Sequence, residues 1–253
     1  MNYPLPHPFP ISEIILENAT TKTFVLDGTL AARPGQFVMA WLPGLDEKPF
    51  SLAGADPIRL TIAAVGPFSE AIHQLKVGER LWLRGPLGVG YTLPADGPQK
   101  ILQVGGGYGV APLLFLAQEA LKQSHQVTMV IGARSAAQLL LTGAFEKLRV
   151  PVWPTTEDGS RGLRGRVTEA MALILADPAT RPEAIYACGP TGMLAAVARL
   201  GQAEGLPFQL AWEAHMRCGI GLCGSCEVGA GWLTCLDGPV FDFNPVTDPA
   251  VVK

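Results

Sequence analysis

The amino-acid sequence predicts an α+β multidomain chain: an antiparallel β-barrel first, a doubly wound parallel α/β domain second, and a small cysteine-rich unit last. Three observations predict it. Up to residue 96, short β-rich runs are broken by Pro and Gly; after residue 100, strand-like and helix-like runs alternate; and four of the five cysteines lie between Cys218 and Cys235. With 253 residues, 48% of them hydrophobic and 16% charged, the chain can bury more than one core. The divisions fall at 1–96, 97–211 and 212–253.

In the first part the β-rich runs are 23–26, 36–41, 60–65 and 80–84, punctuated by Pro34-Gly35, Pro43-Gly44, Gly66-Pro67 and Gly78. Short strands between such turn signals fit a small antiparallel barrel. The stretch LPADGPQ, 93–99, reads as a hinge into the next domain.

Beyond the hinge, strands are expected at 101–104, 127–131, 150–153, 184–187 and 208–212, with helices near 137–148, 167–176 and 193–204. Alternation of this kind predicts a parallel sheet covered on both faces. The first strand runs through Gly105, Gly106, Gly107 and Gly109 into an apolar-periodic helix around Pro112. A glycine-rich turn between strand and helix lets a pyrophosphate approach the backbone and rest at the helix N-terminus. The spacing departs from G-x-G-x-x-G, so a simple tight turn stands beside the nucleotide reading. Ligands of such sheets lie beyond the strand C-terminal ends, here 105–109, 132–135, 155–160 and 188–193. Cys188 opens CGPTGM in the last of these; read alone, it is equally a small buried hydrophobe.

A net charge of −3 and a pI near 5.8 leave no basic patch for nucleic acid. No run reaches the roughly 18 apolar residues of a membrane span, and the N-terminus lacks a basic, then apolar leader pattern. The expectation is a soluble cytoplasmic chain. In a reducing compartment, clustered thiols hold metal or do redox work more often than they form disulfides. Cys218, Cys223, Cys226 and Cys235 are spaced C-x4-C-x2-C-x8-C, and the first part of that is the spacing of plant-type 2Fe-2S ferredoxins. Zinc, the alternative, prefers two short pairs separated by a longer insert. Gly219, Gly221 and Gly224 allow backbone to wrap a cluster and aim N–H groups at its sulfurs.

KPFSL at 48–52, GPLGVGY from Gly85, GGGYGVAPL and CGPTGM occur in that order, and the chain resembles the ferredoxin-NADP reductase superfamily over nearly its whole length. Adding EAHMRCGIGLCGSC and CLDGPVF, it resembles more narrowly the electron-transfer subunits of heteromeric dihydroorotate dehydrogenases. The resemblance implies FAD on the barrel, NAD(H) on the sheet domain and a 2Fe-2S cluster passing electrons outward. A hydride carries two electrons and the cluster accepts one, so a flavin between them can divide the pair.

Carried over residue by residue, the resemblance gives Lys48 the basic position facing the FAD pyrophosphate, Phe50 the aromatic position against the flavin and Ser51 the hydroxyl near its N5, with Pro49 and Leu52 flanking. Lys48 and Phe50 depart from the family's R-x-Y-S, which replaces a guanidinium fork by a point charge and removes a phenol oxygen. Gly66, Phe68 and Ser69 match a phosphate turn, although a helix N-cap made by Ser69 reads the same residues. Gly105, Gly106, Gly107 and Gly109 would surround the nucleotide pyrophosphate, and Cys188, Gly189 and Pro190 would lie near the nicotinamide, with Ser51 and Cys188 the catalytic pair. Arg134 in GARS nominally favours a 2′-phosphate, while the resemblance favours NAD. No histidine catalysis is assigned.

The implied partner is a catalytic, FMN-containing dihydroorotate dehydrogenase subunit of pyrimidine biosynthesis, in a heterotetramer of two chains of each kind, docked on the loop 219–224. The alternatives are a diaphorase subunit of a cytoplasmic hydrogenase, sulfite reductase or NADH-ferredoxin oxidoreductase, and, outside enzymes, a zinc-binding regulatory module.

Overall fold

Hydrophobic alternation builds two sheets, seen in a computed structural model that describes residues 5–228 and 231–243. The first is antiparallel: β1 (His7–Asn18), β2 (Thr21–Leu26), β3 (Phe37–Leu42), β4 (Asp46–Ser51), β5 (Gly54–Ala55), β6 (Ile58–Ala63) and β7 (Arg80–Leu87), in the spatial order β4-β3-β7-β1-β2-β6-β5. Strand β1 pairs with β7 through its first residues and with β2 through the rest, so the sheet curls into a barrel-like shell. Inside it Phe24, Val38, Ala40, Leu60 and Leu81 are buried with α1 (Pro67–His73). Residues that face each other across a ladder share one side of the sheet. Opposite Phe37 stand Ser51 and Leu87, opposite Met39 stand Pro49 and Arg84, and opposite Trp41 stand Glu47 and Trp82. These nine residues therefore line the outer face of β4-β3-β7.

The second sheet contains β8 (Lys100–Gly106), β9 (Gln126–Ala133), β10 (Val152–Thr156), β11 (Leu163–Arg164), β12 (Ala184–Cys188), β13 (Phe208–Ala211) and β14 (Val240–Phe243). Its order is β11-β10-β9-β8-β12-β13-β14, parallel except for β14. Helices α2 (Val110–Lys122) and α3 (Thr142–Lys147) cover one face, packing on Ile101, Met129 and Tyr186. Helices α4 (Val167–Ala176) and α5 (Thr191–Ala203) cover the other, packing on Leu102, Val130 and Ile185. The sheet is doubly wound, and strand order reverses between β8 and β12.

Several sequence-based expectations need correction. The helix expected at 137–148 is two pieces, a 3-10 turn at Ala136–Gln138 and the six-residue α3. Leu139, Leu140 and Leu141 turn inward to the core, and Leu141 takes a left-handed φ of 57°, which no helix interior tolerates. Strand β1 was not expected. Gly105 and Gly106 end β8 rather than start the turn. The 212–253 stretch also returns a strand, β14, to the edge of the second sheet.

Candidate functional site

In open parallel sheets the crevice outside the strand C-terminal ends, where the order reverses, receives the ligand. Here that crevice is a cleft of about 240 Å³ between the barrel and the second sheet. Pro49, Phe50 and Ser51 form its barrel wall, Gly109 and Cys188 its sheet wall, and Trp212, Glu213 and Met216 its third side. Of the residues the sequence suggested, Pro49, Phe50, Ser51, Gly109 and Cys188 thus converge from 139 positions of chain.

Others stand behind the walls. Leu52 is fully buried in the barrel core, and Phe68 stacks on Phe50 with ring centroids 6.2 Å apart. The Lys48 ammonium is paired with Asp46, and the Lys48 side chain is 37% exposed. Ser69 is the third residue of α1, not its N-cap, which is Gly66. Its hydroxyl accepts from the Val65 and Gly66 N–H groups at 3.0 and 3.2 Å and donates to the Gly66 carbonyl at 3.0 Å. That hydroxyl serves its own turn.

The glycines divide by what surrounds them. A Cβ on Gly105 would sit 2.8 Å from Met129 Cε, one on Gly106 2.7 Å from Met193 Sδ, and one on Gly109 2.5 Å from the Cys188 carbonyl oxygen. These three leave room for Met129 of β9, Met193 of α5 and the end of β12 against the turn. Gly107 differs: its φ is 56° and nothing lies within 4 Å, so only there does the open backbone itself face outward. Gly189 has a φ of 156° and approaches the Gly106 N–H group, 3.1 Å from where its Cβ would be, while Pro190 caps α5.

Two groups at the cleft, Tyr108 and Glu213, were not given roles from sequence. Tyr108, in the middle of the glycine tract, donates its hydroxyl to Glu213 Oε2 at 3.0 Å across 105 residues of chain. Burial, and then the Glu213 charge, push the Tyr108 hydroxyl up to about 12, so it is a donor throughout the neutral range. Burial raises the Glu213 carboxyl against the opposing effect of the Tyr108 hydrogen bond. Burial also raises the Cys188 thiol far above its usual range, with Glu213 adding to it; Cys188 is a neutral, apolar surface at the end of β12. A tyrosine inside a run of glycines was the available signal for Tyr108.

The cysteine loop lies on the outer face of β3 and β7. Cys226 and Cys235 are buried with Phe37, Met39 and Met216, and Cys223 is exposed. Hydrogen bonds from Ser225, then from Cys218, lower the Cys223 thiol to about 6. Three backbone N–H groups point at sulfur, Ile220 and Leu222 at Cys218 Sγ (3.5 and 3.3 Å) and Gly221 at Cys235 Sγ (3.2 Å). Four thiols from one short stretch, with backbone N–H groups aimed at two of their sulfurs, fit a two-iron cluster held by four thiolates.

Residues 103–199 match the family model of an oxidoreductase NAD-binding domain, and residues 213–247 that of the iron-sulfur cluster binding domain of dihydroorotate dehydrogenase B. A probable dihydroorotate dehydrogenase B (NAD(+)), electron transfer subunit of Methanocaldococcus jannaschii is 40% identical over 91% of this chain and 87% of its own length. One from Thermococcus kodakarensis is 42% identical over 87% and 89%. Among solved structures, that of the NADH-dependent reduced ferredoxin-NADP oxidoreductase, a study of flavin-based electron bifurcation, superposes with a TM-score of 0.82 at 29% identity, over 92% of this chain and 87% of the other. The ferredoxin reductase in carbazole 1,9a-dioxygenase, 21% identical with a TM-score of 0.71 over 81% and 68%, shares the fold. Barrel, doubly wound sheet and cysteine loop, matched along nine-tenths of the chain at this identity, place the protein in one family: it belongs to the dihydroorotate dehydrogenase B (NAD(+)) electron transfer subunits.

Proposed function

We propose that this chain moves electrons between NAD(H), a bound FAD and a 2Fe-2S cluster, and exchanges them with a separate catalytic dihydroorotate dehydrogenase subunit. One observation carries the reading. Phe37 and Met216 line the cleft and also pack against Cys226 and Cys235, so cleft and cysteine loop share a wall, and an electron passing between them crosses only that wall.

FAD, when bound, supplies the conversion between a two-electron hydride and single electrons. The chain's residues do the placing. Phe50, backed by Phe68, offers a flat apolar surface to the flavin, and Ser51 brings a hydroxyl to the cleft floor. Lys48 and the turn at Gly66, Phe68 and Ser69 would face the FAD phosphates, Lys48 after leaving Asp46 and the turn through the Phe68 and Ser69 N–H groups, since the Ser69 hydroxyl and the Gly66 N–H engage each other. Pro49 and Leu52 fix the strand that carries them. On the sheet side Gly107 offers open backbone to the NAD pyrophosphate. Gly105, Gly106 and Gly109 keep that turn against the sheet, and Cys188, Gly189 and Pro190 form the nicotinamide wall, the buried thiol excluding water where the hydride moves. Cys218, Cys223, Cys226 and Cys235 hold the cluster. The working units are 1–96, 97–211 and 212–253, the last tied back through β14.

The partner is a catalytic subunit with its own FMN, in a heterotetramer with two copies of each chain. Its docking face is the rim of the cysteine loop, where Leu222, Trp232 and Leu236 stay more than half exposed beside the exposed Cys223; large apolar side chains gathered at an electron exit mark a protein contact. No helix of the described residues is long and apolar enough to cross a membrane, and a cytoplasmic complex is the reading adopted. The likeness to the NADH-dependent ferredoxin-NADP oxidoreductase favours a diaphorase role with another partner as the second reading.

The test is analysis of the purified chain for flavin, iron and acid-labile sulfide, followed by mixing with the catalytic subunit. The reading expects one FAD and one 2Fe-2S cluster per chain, and NAD-linked dihydroorotate oxidation only from the pair. Stoichiometric zinc without sulfide would overturn it. A flavin- and iron-loaded chain that fails to couple would move the partner to the second reading.

A further inference from the structure

We infer that the Arg84–Glu47 ion pair is a positioning device for the cysteine loop, fixing the loop on the barrel and setting the electrostatic environment of the cluster it holds. The inference rests on the 2Fe-2S reading above.

The ladder registers explain why this pair exists where it does. Strand order β4-β3-β7 puts Glu47 and Arg84 on strands that do not touch, both on the outer face with Met39 and Trp41 between them. The Arg84 side chain spans that gap. Arg84 Nε and Nη2 donate to Glu47 Oε1 and Oε2 at 3.0 and 2.8 Å, a bidentate geometry that restricts both side chains. The same Nη2 also donates to the Cys218 carbonyl at 2.9 Å, across 134 residues of chain. Arg84 is only 12% exposed and Glu47 24%, so neither charge is dissolved in water as a surface pair would be.

The neighbouring contacts leave the loop little freedom. A Cβ on Gly219 would lie 3.0 Å from Met39 Cγ and 3.4 Å from Leu87 Cδ1, so the residue after Cys218 rests on the strand that the ion pair straddles. Gly219 has a φ of 67°, which turns the chain so that the next N–H groups reach the Cys218 sulfur. Arg84 thus holds the carbonyl of Cys218 while the loop folds back over its thiol. Among the described residues it is the cation bonded to the cysteine loop from the barrel side.

Charge gives this role a signature that simple tethering lacks. The pair is neutral as a whole. Replacing Arg84 by Gln leaves the Glu47 carboxylate unpaired beside the cluster and disfavours the added electron. Replacing Glu47 by Gln leaves the guanidinium unpaired and favours it. The cluster midpoint potential should therefore fall in Arg84→Gln and rise in Glu47→Gln. A purely structural brace would loosen in both and shift them alike.

The experiment uses the full chain loaded with FAD and cluster, read by redox titration with electron paramagnetic resonance of the reduced cluster, and by loss of iron to a chelator. Arg84→Gln should change the resonance line shape, lower the potential and release iron about tenfold faster, as loss of a charge-assisted hydrogen bond to a partly buried carbonyl would allow. Arg84→Lys keeps the charge and loses the fork, so its potential should return toward wild type while iron loss stays fast. The rate of flavin reduction by NADH should not change in any of the three. Potentials of Arg84→Gln and Glu47→Gln that match wild type, or move in the same direction, would overturn the inference. A wild-type chain without iron and sulfide would instead overturn the cluster reading on which it stands.

Discussion

Replacing Gly109 by Ala tests the packing of the nucleotide turn against the sheet. The backbone at Gly109 is in the ordinary helical region, φ −61° and ψ −12°, so alanine meets no conformational penalty there. Its methyl group would lie 2.5 Å from the Cys188 carbonyl oxygen and 2.6 Å from the carbonyl carbon. Ordinary contact starts near 3.4 Å, so turn and strand end must part by 3.4 − 2.5, about 0.9 Å. Both atoms are backbone and cannot swing aside. Overpacking of this kind costs about 1–3 kcal/mol, and for a chain of this size each kcal/mol lowers Tm by about 2–4 °C. The same displacement moves Cys188 within the cleft, and a misplacement near 1 Å can slow a positioned reaction by about 100-fold. Urea unfolding and stopped-flow reduction of FAD by NADH read the two effects. Gly107→Ala is the comparison: left-handed backbone costs it about 1–2 kcal/mol, but no atom is struck. Gly109→Ala should lower the reduction rate at saturating NADH, and Gly107→Ala should weaken NADH binding with the saturated rate kept. A Gly109→Ala protein with wild-type stability and saturated rate would refute the packing argument.

Ser51→Ala should slow hydride transfer by about 10-fold or more while FAD stays bound, because the proposed role gives Ser51, in the cleft's barrel wall, one hydroxyl at the reacting end of a cofactor held at other positions too; loss of FAD with transfer unchanged in the remaining holoprotein would show that Ser51 binds rather than orients. Glu213 has a folded value raised above its ordinary 4.5 by burial, so between 4.5 and that raised value the folded chain binds more protons than the unfolded one and stability falls as pH rises. Urea unfolding across this window should show the falling slope in wild type, a flatter one in Glu213→Gln, and a slope reaching to higher pH in Tyr108→Phe, which loses the hydrogen bond that lowers Glu213; identical slopes in all three would contradict the cause assigned.

Local patterns were legible in the sequence, and long-range contacts were not. The helix over 167–176 matches α4 residue for residue, because an apolar period bounded by Arg166 and Asp177 leaves no other reading. The cysteine spacing and the glycine turn were visible for the same reason, each lying within 20 residues, and the alternation over 101–212 is a succession of such short runs. Strand β1 was hidden by Pro8 and Pro10, which are tolerated because they sit at its start against β7, and by register shifts near Ile11 and Leu16 that break the two-residue period. Leu139, Leu140 and Leu141 looked helical, but burial of all three required leaving the helix. Tyr108 with Glu213, and Arg84 with Cys218, meet across 105 and 134 residues, a distance over which periodicity carries no signal. The four glycines read as one feature in sequence, whereas only their neighbours in space separate Gly107 from Gly105, Gly106 and Gly109.

The central claim is a single route between NAD(H) and the partner, through FAD and the cluster, used in either direction, and Cys223→Ser tests it most directly. Cys223 is exposed and at the loop's rim, so serine there should remove the cluster without disturbing the barrel or sheet cores. Assembled with the catalytic subunit and assayed anaerobically, wild type should couple dihydroorotate oxidation to NAD reduction. The Cys223→Ser complex should reduce its FAD with NADH at the wild-type rate and show no coupled turnover; coupled turnover equal to wild type would contradict the route.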